Sequence, residues 1–206
     1  MKKSSSSKQW LQRHVSDPYV QRSKREGYRA RSAYKLAEID GRDKLLKPGM
    51  VVVDLGAAPG GWSQVASKKV GATGKVIAVD LLPMEPIAGV TIIQDDFTSS
   101  AGEAAVKEAL GGRKADVVLS DMAPNLSGIA VRDQALVMVL AEAARDFAVL
   151  HLQPQGLLLV KVFQGAGYDD YLKSLRHAFG KVVVRKPEAS REQSAEQYLL
   201  ARGPKT

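Results

Sequence analysis

The segment MVVVDLGAAPGGW, residues 50–62, decides the fold of this chain. Its first six residues are apolar apart from Asp54, which is typical of a strand buried on both faces of a parallel sheet. Small residues and glycines follow, and a helix is predicted from Trp62 to Val70. A strand, a glycine loop and a helix in this order begin a doubly wound α/β sheet, in which ligands bind at the carboxyl ends of the strands.

The rest of the chain alternates predicted strands with predicted helices. Short apolar runs predict further strands at 75–80, 90–94, 115–120, 157–163, 181–185 and 197–201. Helical patterns occupy 102–110, 132–152 and 168–179, and Pro154-Gln155-Gly156 predicts a turn before the fifth strand. Since no helix separates the last two strands, we expect a Rossmann-like, mostly parallel seven-stranded sheet with an antiparallel pair at one edge.

The composition excludes several classes of protein. The 206 residues include no cysteine and only three histidines, so disulfide frameworks, thiolate zinc sites and cysteine nucleophiles are excluded and no metal site is expected. No apolar run reaches the roughly 18 residues of a membrane span, and the first residues lack the apolar core of a signal peptide. We therefore predict a cytoplasmic protein without membrane association, and nothing in the sequence suggests more than a monomer.

The net charge of +8 lies entirely in the first 35 residues, because residues 36–206 carry equal numbers of basic and acidic groups. Tyrosines and a tryptophan are interleaved with these charges, a mixture that suits the phosphates and bases of a nucleic acid. We predict a basic, partly disordered RNA-binding arm at 1–35, helical from 18 to 27 and again after 32, and a second domain at 36–206. A merely solvated basic tail is the alternative. The candidate RNA contacts are Arg22, Lys24, Arg25, Arg29 and Arg31.

Acidic residues after the next two strands suggest what the glycine loop binds. The glycines of the loop do not have the G-x-G-x-x-G spacing, which disfavours a dinucleotide pyrophosphate. Asp80 ends the second strand, where an acid can accept hydrogen bonds from both ribose hydroxyls. Asp96 follows the third strand, where it can accept from an adenine amino group. Together these features predict a pocket for S-adenosylmethionine, although each acid alone also fits a loop-starting turn.

Two more polar residues lie at strand ends. Asp121 directly follows the fourth strand, and Lys161 lies within the otherwise apolar run 157–163. Burying a lysine is costly unless it is paired or functional, so we favour a functional role over a simple salt bridge. This reasoning does not distinguish Lys35 and Glu196 from ordinary surface charges.

With these segments identified, the chain resembles the FtsJ-type ribosomal RNA methyltransferases. The resemblance extends from about residue 10 to residue 201 and lies in the segments RARSAYKL (29–36), DLGAAPGGWSQ (54–64), DLLPM (80–84), SDMAPN (120–125) and VKVFQG (160–165). It implies a class I methyltransferase that uses S-adenosylmethionine to methylate the 2′-hydroxyl of a uridine in 23S rRNA. It also implies that the substrate is the large (50S) ribosomal subunit.

The resemblance further implies which residues form the site. The family's catalytic Lys-Asp-Lys-Glu tetrad corresponds to Lys35, Asp121, Lys161 and Glu196, and its cofactor contacts correspond to Gly60, Trp62, Asp80, Asp96 and Asp121. In this scheme Lys161 is the general base, because a ribose hydroxyl is a poor nucleophile without one. The other three members of the tetrad position Lys161, the cofactor and the ribose, and no metal is required.

Other functions stay open on the sequence. A non-catalytic RNA-binding or ribosome-assembly factor could use the same fold, although the intact tetrad argues against it. A nicotinamide-dependent reductase is disfavoured by the missing phosphate fingerprint. A methyltransferase acting on an exocyclic base amine would be expected to carry an Asn-Pro-Pro-Tyr type of loop, where this chain has Asp121-Met122-Ala123-Pro124.

Overall fold

A computed structural model describes residues 17–124, 127–191 and 194–205 of the chain. The described helices and strands are, in chain order, α1 (Pro18–Glu26), α2 (Ala33–Asp43), β1 (Val51–Leu55), α3 (Gly61–Val70), β2 (Lys75–Asp80), β3 (Val90–Gln94), α4 (Ser100–Leu110), β4 (Ala115–Ser120), α5 (Ala130–His151), β5 (Leu152–Phe163), α6 (Tyr168–Ala178), β6 (Phe179–Arg185) and β7 (Glu196–Pro204). The predicted disorder of residues 1–9 and the Asn125 end of the SDMAPN motif lie outside the described residues.

The seven strands form one sheet in the order β3-β2-β1-β4-β5-β7-β6. All pairings from β3 to β5 are parallel, while β7 is antiparallel to both β5 and β6. The predicted doubly wound sheet with an antiparallel pair at one edge is therefore confirmed. The strand order reverses between β1 and β4, which places the switch point, where such sheets bind ligands, directly beside the glycine loop.

Apolar side chains from the two faces of the sheet form two core clusters. One face packs under α4, α5 and α6, through residues such as Val106, Phe147 and Leu175. The other face packs under α2 and α3, through residues such as Leu36 and Trp62. Because strand side chains alternate between faces, the strands contribute to both clusters, and β1, β2 and β4 in the middle of the sheet are buried on both sides, whereas the edge strands β3 and β6 are partly exposed.

Most element boundaries agree with the sequence predictions to within two residues, but the start of β5 does not. The turn predicted at Pro154-Gln155-Gly156 is wrong, because helix α5 ends at His151 and the chain continues at once as strand. The pairing with β4 shifts register between Ala115 and Val117, so the extra residues of β5 form an irregular stretch there. Proline lacks a backbone N–H and is tolerated at such an irregularity.

The basic amino-terminal region packs on the rest of the chain. The predicted first helix is confirmed as α1, with the Asp17 carboxylate capping its start and Gly27 its end. The predicted boundary between residues 35 and 36 falls inside α2, a continuous helix whose Ala33, Leu36 and Ile39 bury in the same cluster. No structural break separates two domains at that point. Within the described ranges, no helix combines the length and apolarity needed to cross a bilayer.

Candidate functional site

The glycine loop between β1 and α3 forms the floor of a small cavity at the carboxyl edge of the sheet. Its lining residues are Ser32, Asp54, Gly56, Ala57, Ala58, Pro59, Gly61, Trp62 and Asp121. Gly56 and Gly60 both have positive φ angles, and a Cβ at either position would lie within 3 Å of a neighbouring side chain. Glycine is therefore favoured at both positions, and a loop with so few side chains lets a ligand approach its backbone closely.

Asp54, near the end of β1, is a buried carboxylate that forms no ion pair with any residue in the described ranges. Its Oδ2 accepts a hydrogen bond from Ser63 Oγ at 2.6 Å, but its Oδ1 accepts none from the described residues. Burial raises the pKa of this carboxyl to about 7, and the neighbouring charges of Asp121 and Asp80 act in the same direction. The sequence analysis did not assign Asp54 a role. The signal was present, since it is a charged residue inside an apolar strand.

The two acids predicted to bind the cofactor organise their own loops. Asp80 Oδ2 accepts from the backbone N–H of Ala58 in the glycine loop, and Oδ1 accepts from the N–H of Leu82, both at 2.8 Å. Asp96 Oδ1 accepts from both the backbone N–H and the hydroxyl of Thr98, at 2.9 and 2.6 Å. Both acids therefore stabilise turns at the starts of their loops, as their sequence positions also allowed. It leaves further lone pairs on each carboxylate for a ligand.

The two lysines of the predicted tetrad lie beyond this cavity, toward β5 and β7. In the antiparallel register Lys161 is directly opposite Tyr198, and Phe163 is opposite Glu196. Since alternate residues share a face, Lys161, Tyr198 and Glu196 all point to the side of the sheet that α2 covers. Helix α2 supplies Lys35 on that side, so the four tetrad residues converge from α2, from the residue directly after β4, and from β5 and β7.

Lys161 is held mainly by Asp121. Its ammonium donates to the Asp121 backbone carbonyl at 2.6 Å and lies 3.1 Å from Oδ1 of the same residue. Tyr198 donates its hydroxyl to this Oδ1 at 2.9 Å. Burial, followed by the nearby charges of Asp121 and Glu196, raises the pKa of Tyr198 well above its ordinary value, so the phenol keeps its proton and remains a donor.

Lys35 forms a separate, closed ion pair with Glu196. Its Nζ lies 2.6 and 2.8 Å from the two carboxylate oxygens, and Ser190 Oγ donates to Oε1 at 2.7 Å. Burial raises the pKa of Glu196 and is the largest single effect, but the charge of Lys35 and the hydrogen bonds from Lys35 and Ser190 outweigh it. The pKa of Glu196 therefore lies below its ordinary value, and this carboxylate stays ionised at neutral pH.

Trp62 connects the cavity to the tetrad. Its indole N–H donates to the carbonyl of Ser32 at 2.8 Å, and its ring lies 5.6 Å from the ring of Tyr198, centroid to centroid. It is 2% exposed. Trp62 therefore forms a rigid wall between the cavity and the lysines, in addition to its predicted place among the cofactor contacts.

Three of the five predicted RNA contacts are already engaged by the protein. Arg22 pairs with Glu26 at 2.8 Å, and Arg31 pairs with Asp17 at 3.1 Å and donates to the Ala189 carbonyl at 2.6 Å. Arg29 donates three hydrogen bonds to backbone carbonyls. Lys24 and Arg25, in the last turn of α1, are exposed and have no ion pair in the described part of the chain. Among the same residues there is no cluster of three or more His, Asp or Glu side chains that could hold a metal ion.

Comparison with known proteins identifies the family of this chain. The sequence model of one family, the FtsJ-like methyltransferases, matches residues 28–204. The chain belongs to the FtsJ-like methyltransferase family. The match includes all four tetrad residues and the glycine loop, and it begins after α1. Residues 1–27, with a net charge of +5, therefore lie before the matched region, and Arg29, Arg31 and Lys35 lie inside it.

Relatives within the family are similar over nearly their whole length. A protein of Azoarcus sp. strain BH72 named ribosomal RNA large subunit methyltransferase E is 57% identical over 200 residues, which cover 97% of this chain and 98% of the relative. A Pseudomonas aeruginosa protein of the same name is 53% identical and is covered to 98% on both sides. A crystal structure from Plasmodium falciparum, provisionally described as a ribosomal RNA methyltransferase, superposes with a TM-score of 0.77 at 28% identity and covers 86% of this chain and 98% of its own.

Proposed function

We propose that this chain transfers a methyl group from S-adenosylmethionine to the 2′-hydroxyl of a uridine in 23S rRNA of the large ribosomal subunit. The observation that carries the proposal is the convergence of two buried, separately paired lysines beside the cavity of the glycine loop. A binding protein would have no need to bury two lysines, since burial of each charge is costly. An enzyme that removes a proton from a hydroxyl group would need such buried lysines.

S-adenosylmethionine fits the cavity by the chemistry of its donor groups. Asp80 and Asp96 would accept hydrogen bonds from the ribose and the adenine, respectively. The glycine loop would let the bound molecule approach the loop backbone closely. Asp54 and Asp121 both line the cavity and supply negative charge next to a ligand that carries a sulfonium and an ammonium group. When bound, this cofactor supplies an electrophilic methyl group.

In the proposed mechanism Lys161 is the general base for the ribose hydroxyl. It accepts a proton only in its neutral form, and its hydrogen bond to the Asp121 carbonyl fixes the direction of its amine in that form as well. Asp121 and Tyr198 position Lys161, which is 8% exposed at its side chain. The Lys35–Glu196 pair keeps a second positive charge near the hydroxyl, where it stabilises the developing alkoxide. Orientation of the two reacting atoms supplies much of the remaining rate.

Support for the RNA substrate comes from three sources. The relatives in the preceding section are named as ribosomal RNA large subunit methyltransferases, and they match almost the whole chain. Lys24 and Arg25 are exposed on α1, form no ion pair with the residues that the structure describes, and are available to phosphates. The loop after β4 carries Asp121-Met122-Ala123-Pro124 and lacks the aromatic sequence expected for methylation of a base amine. The proposal places a monomeric enzyme in the cytoplasm, where ribosomal subunits mature.

The experiment that tests this function uses large ribosomal subunits from a bacterium that lacks its own enzyme of this type. Purified protein and radiolabelled S-adenosylmethionine are added, and the label is mapped to a nucleotide and to an atom. We expect a single 2′-O-methyluridine in 23S rRNA. Tight binding of cofactor and RNA without any transfer would instead establish a non-catalytic assembly factor, and label on a base would overturn the role of Lys161.

A further inference from the structure

Residues 27–32, the segment that joins α1 and α2, lie against the start of α3. The backbone N–H of Arg29 donates to Gln64 Oε1 at 2.9 Å, and Gln64 Nε2 donates back to the carbonyl of Gly27 at 3.0 Å. A Cβ placed on Gly61 would lie 3.2 Å from the Cβ of Ala30, which shows how closely the two backbones approach. This segment is therefore part of the outer wall of the glycine loop.

The guanidinium of Arg29 bridges two loops. Its Nη1 donates to the carbonyl of Pro59 at 3.2 Å and to that of Glu85 at 2.7 Å, and its Nη2 donates to the carbonyl of Pro86 at 2.8 Å. Pro59 belongs to the glycine loop, whereas Glu85 and Pro86 belong to the connection between β2 and β3. One side chain thus satisfies three carbonyls that would otherwise need water.

The connection between β2 and β3 has few apolar contacts of its own to hold it. It contains no helix or strand, and Leu81 and Leu82 at its start are 68% and 64% exposed. Asp80 fixes its first residues through the N–H of Leu82. Gln94 Nε2 donates to the Leu81 carbonyl at 3.3 Å, and Ser67 Oγ donates to the Ala88 carbonyl at 2.7 Å. Between these points, residues 84–87 contact Arg29 and Gly60. A segment that buries little apolar area depends on such hydrogen bonds for its order.

We propose that Arg29 is a positioning residue of the cofactor site. It holds the glycine loop, which carries the predicted contact Gly60, at a fixed separation from the connection that directly follows the predicted contact Asp80. Loss of Arg29 then weakens cofactor binding and leaves the electrostatic attraction of RNA nearly unchanged, the reverse of the role predicted from sequence. This inference rests on the proposed function, since it takes the ligand of the cavity to be S-adenosylmethionine.

An arginine is specifically suited to this position. Its planar guanidinium presents several N–H donors in a fixed fork, so it can serve three carbonyls on two loops at once. A lysine carries its donors on one atom and would be able to reach only part of the set. The conservative variant Arg29→Lys therefore tests the geometry while keeping the charge, and Arg29→Gln removes both.

The experiment measures three quantities on wild type, Arg29→Lys and Arg29→Gln. The first is the affinity for S-adenosylhomocysteine by calorimetry, which needs no turnover. The second is KM for S-adenosylmethionine against kcat, and the third is RNA affinity as a function of salt. Arg176→Gln is the matched control, because Arg176 is exposed on α6. Thermal unfolding with and without ligand establishes that each variant is folded.

We expect Arg29→Gln to weaken S-adenosylhomocysteine binding by about tenfold or more and Arg29→Lys by a smaller factor, with KM for the cofactor rising and kcat changing little. The salt dependence of RNA binding should stay as in wild type. Unchanged cofactor affinity with a flatter salt slope would overturn the inference and return Arg29 to the RNA contacts. If the wild-type protein itself bound neither cofactor nor analogue, the proposed function would fail instead.

Discussion

Glu196 and Asp54 are two buried carboxylates on the same face of the sheet, and they differ in what accompanies them. Glu196 is bound by Lys35 of α2 and by Ser190, and its pKa lies below the ordinary value. Among the described residues, Asp54 is bound only by Ser63 of α3, and burial raises its pKa to about 7. We call the part of the site with Lys35, Lys161 and Glu196 the lysine end, and the part around Asp54 and the glycine loop the cavity end. The lysine end thus contains its own counter-charge. The cavity end leaves a negative charge for a cationic ligand to neutralise.

The largest effect is expected from breaking the lysine end at Lys161. Lys161→Met should lower kcat by roughly 10²–10⁴-fold, the usual contribution of a general base, and leave cofactor affinity close to that of wild type. Single-turnover methyl transfer and calorimetry check the two halves of this statement. Lys173→Met, at an exposed position on α6, is the control. Near-normal turnover of the Lys161 variant would remove it from the mechanism.

Breaking the ion pair from the other side should mainly cost stability. Glu196→Gln leaves the ammonium of Lys35 buried without a counter-charge, which should lower the free energy of unfolding at pH 7 by about 3–5 kcal/mol. The pKa of Glu196 is lowered by folding, so its contribution is present above the ordinary pKa and is lost as the pH falls through the folded value. The difference between variant and wild type should therefore shrink when the pH is lowered from 7 to below the ordinary glutamate pKa of about 4.3. Urea unfolding at both pH values measures it, and a constant difference would contradict the ion-pair account.

At the cavity end, the effect of pH on stability through Asp54 has the opposite sign. The folded state binds the Asp54 proton more tightly than the unfolded state, so between about pH 4 and pH 7 wild-type stability should fall as the pH rises, and then level off. Asp54→Asn should remove this slope and be more stable than wild type at pH 8 by roughly 2–4 kcal/mol.

A cationic ligand in the cavity lowers the pKa of Asp54 again, so wild type should release protons on binding S-adenosylmethionine below pH 7. Calorimetry in two buffers detects the protons, and equal release by the variant would exclude Asp54 as their source.

The smallest effect is expected from residues that belong to neither end. Replacing Lys24 and Arg25 together by Gln should weaken RNA binding a few-fold and reduce the slope of log affinity against log salt by up to about 2, because at most two phosphate contacts are lost. Cofactor affinity and kcat at saturating RNA should not change. Lys173→Gln with Arg176→Gln, on the opposite face of the sheet, is the matched control. An unchanged slope would show that α1 does not contact RNA.

The sequence was sufficient for the parts of the molecule in which local pattern and tertiary structure agree. Strands 75–80, 90–94 and 115–120 were predicted with the observed boundaries, since each is a short apolar run between clear turn signals. The start of β5 was not, because the proline and glycine that usually mark a turn are accommodated in an irregular strand pairing. The insertion of β7 between β5 and β6 is likewise a property of the assembled sheet.

The site residues divide in the same way. Lys161 and Asp121 could be found from their position at strand ends, whereas Lys35 and Glu196 became candidates only through the family resemblance. Asp54 is not among the predicted site residues, although it is a charged residue within an apolar strand, as Lys161 is. The RNA contacts of the basic region are predicted from charge alone. Composition cannot show that Arg29 and Arg31 bind backbone carbonyls and Asp17 within the protein.

The position of β7 also sets the order in which the site can be completed as the chain is made. The glycine loop and Asp80 follow β1 and β2, and Asp121 follows β4, so the cavity end is encoded in the first two thirds of the chain. Glu196 and Tyr198 lie on β7, which is synthesised after β6 and yet enters the sheet between β6 and β5. A partly synthesised chain can therefore have its cofactor loops in place while Lys35 has no counter-charge. The lysine end reaches its final geometry only with the last strand.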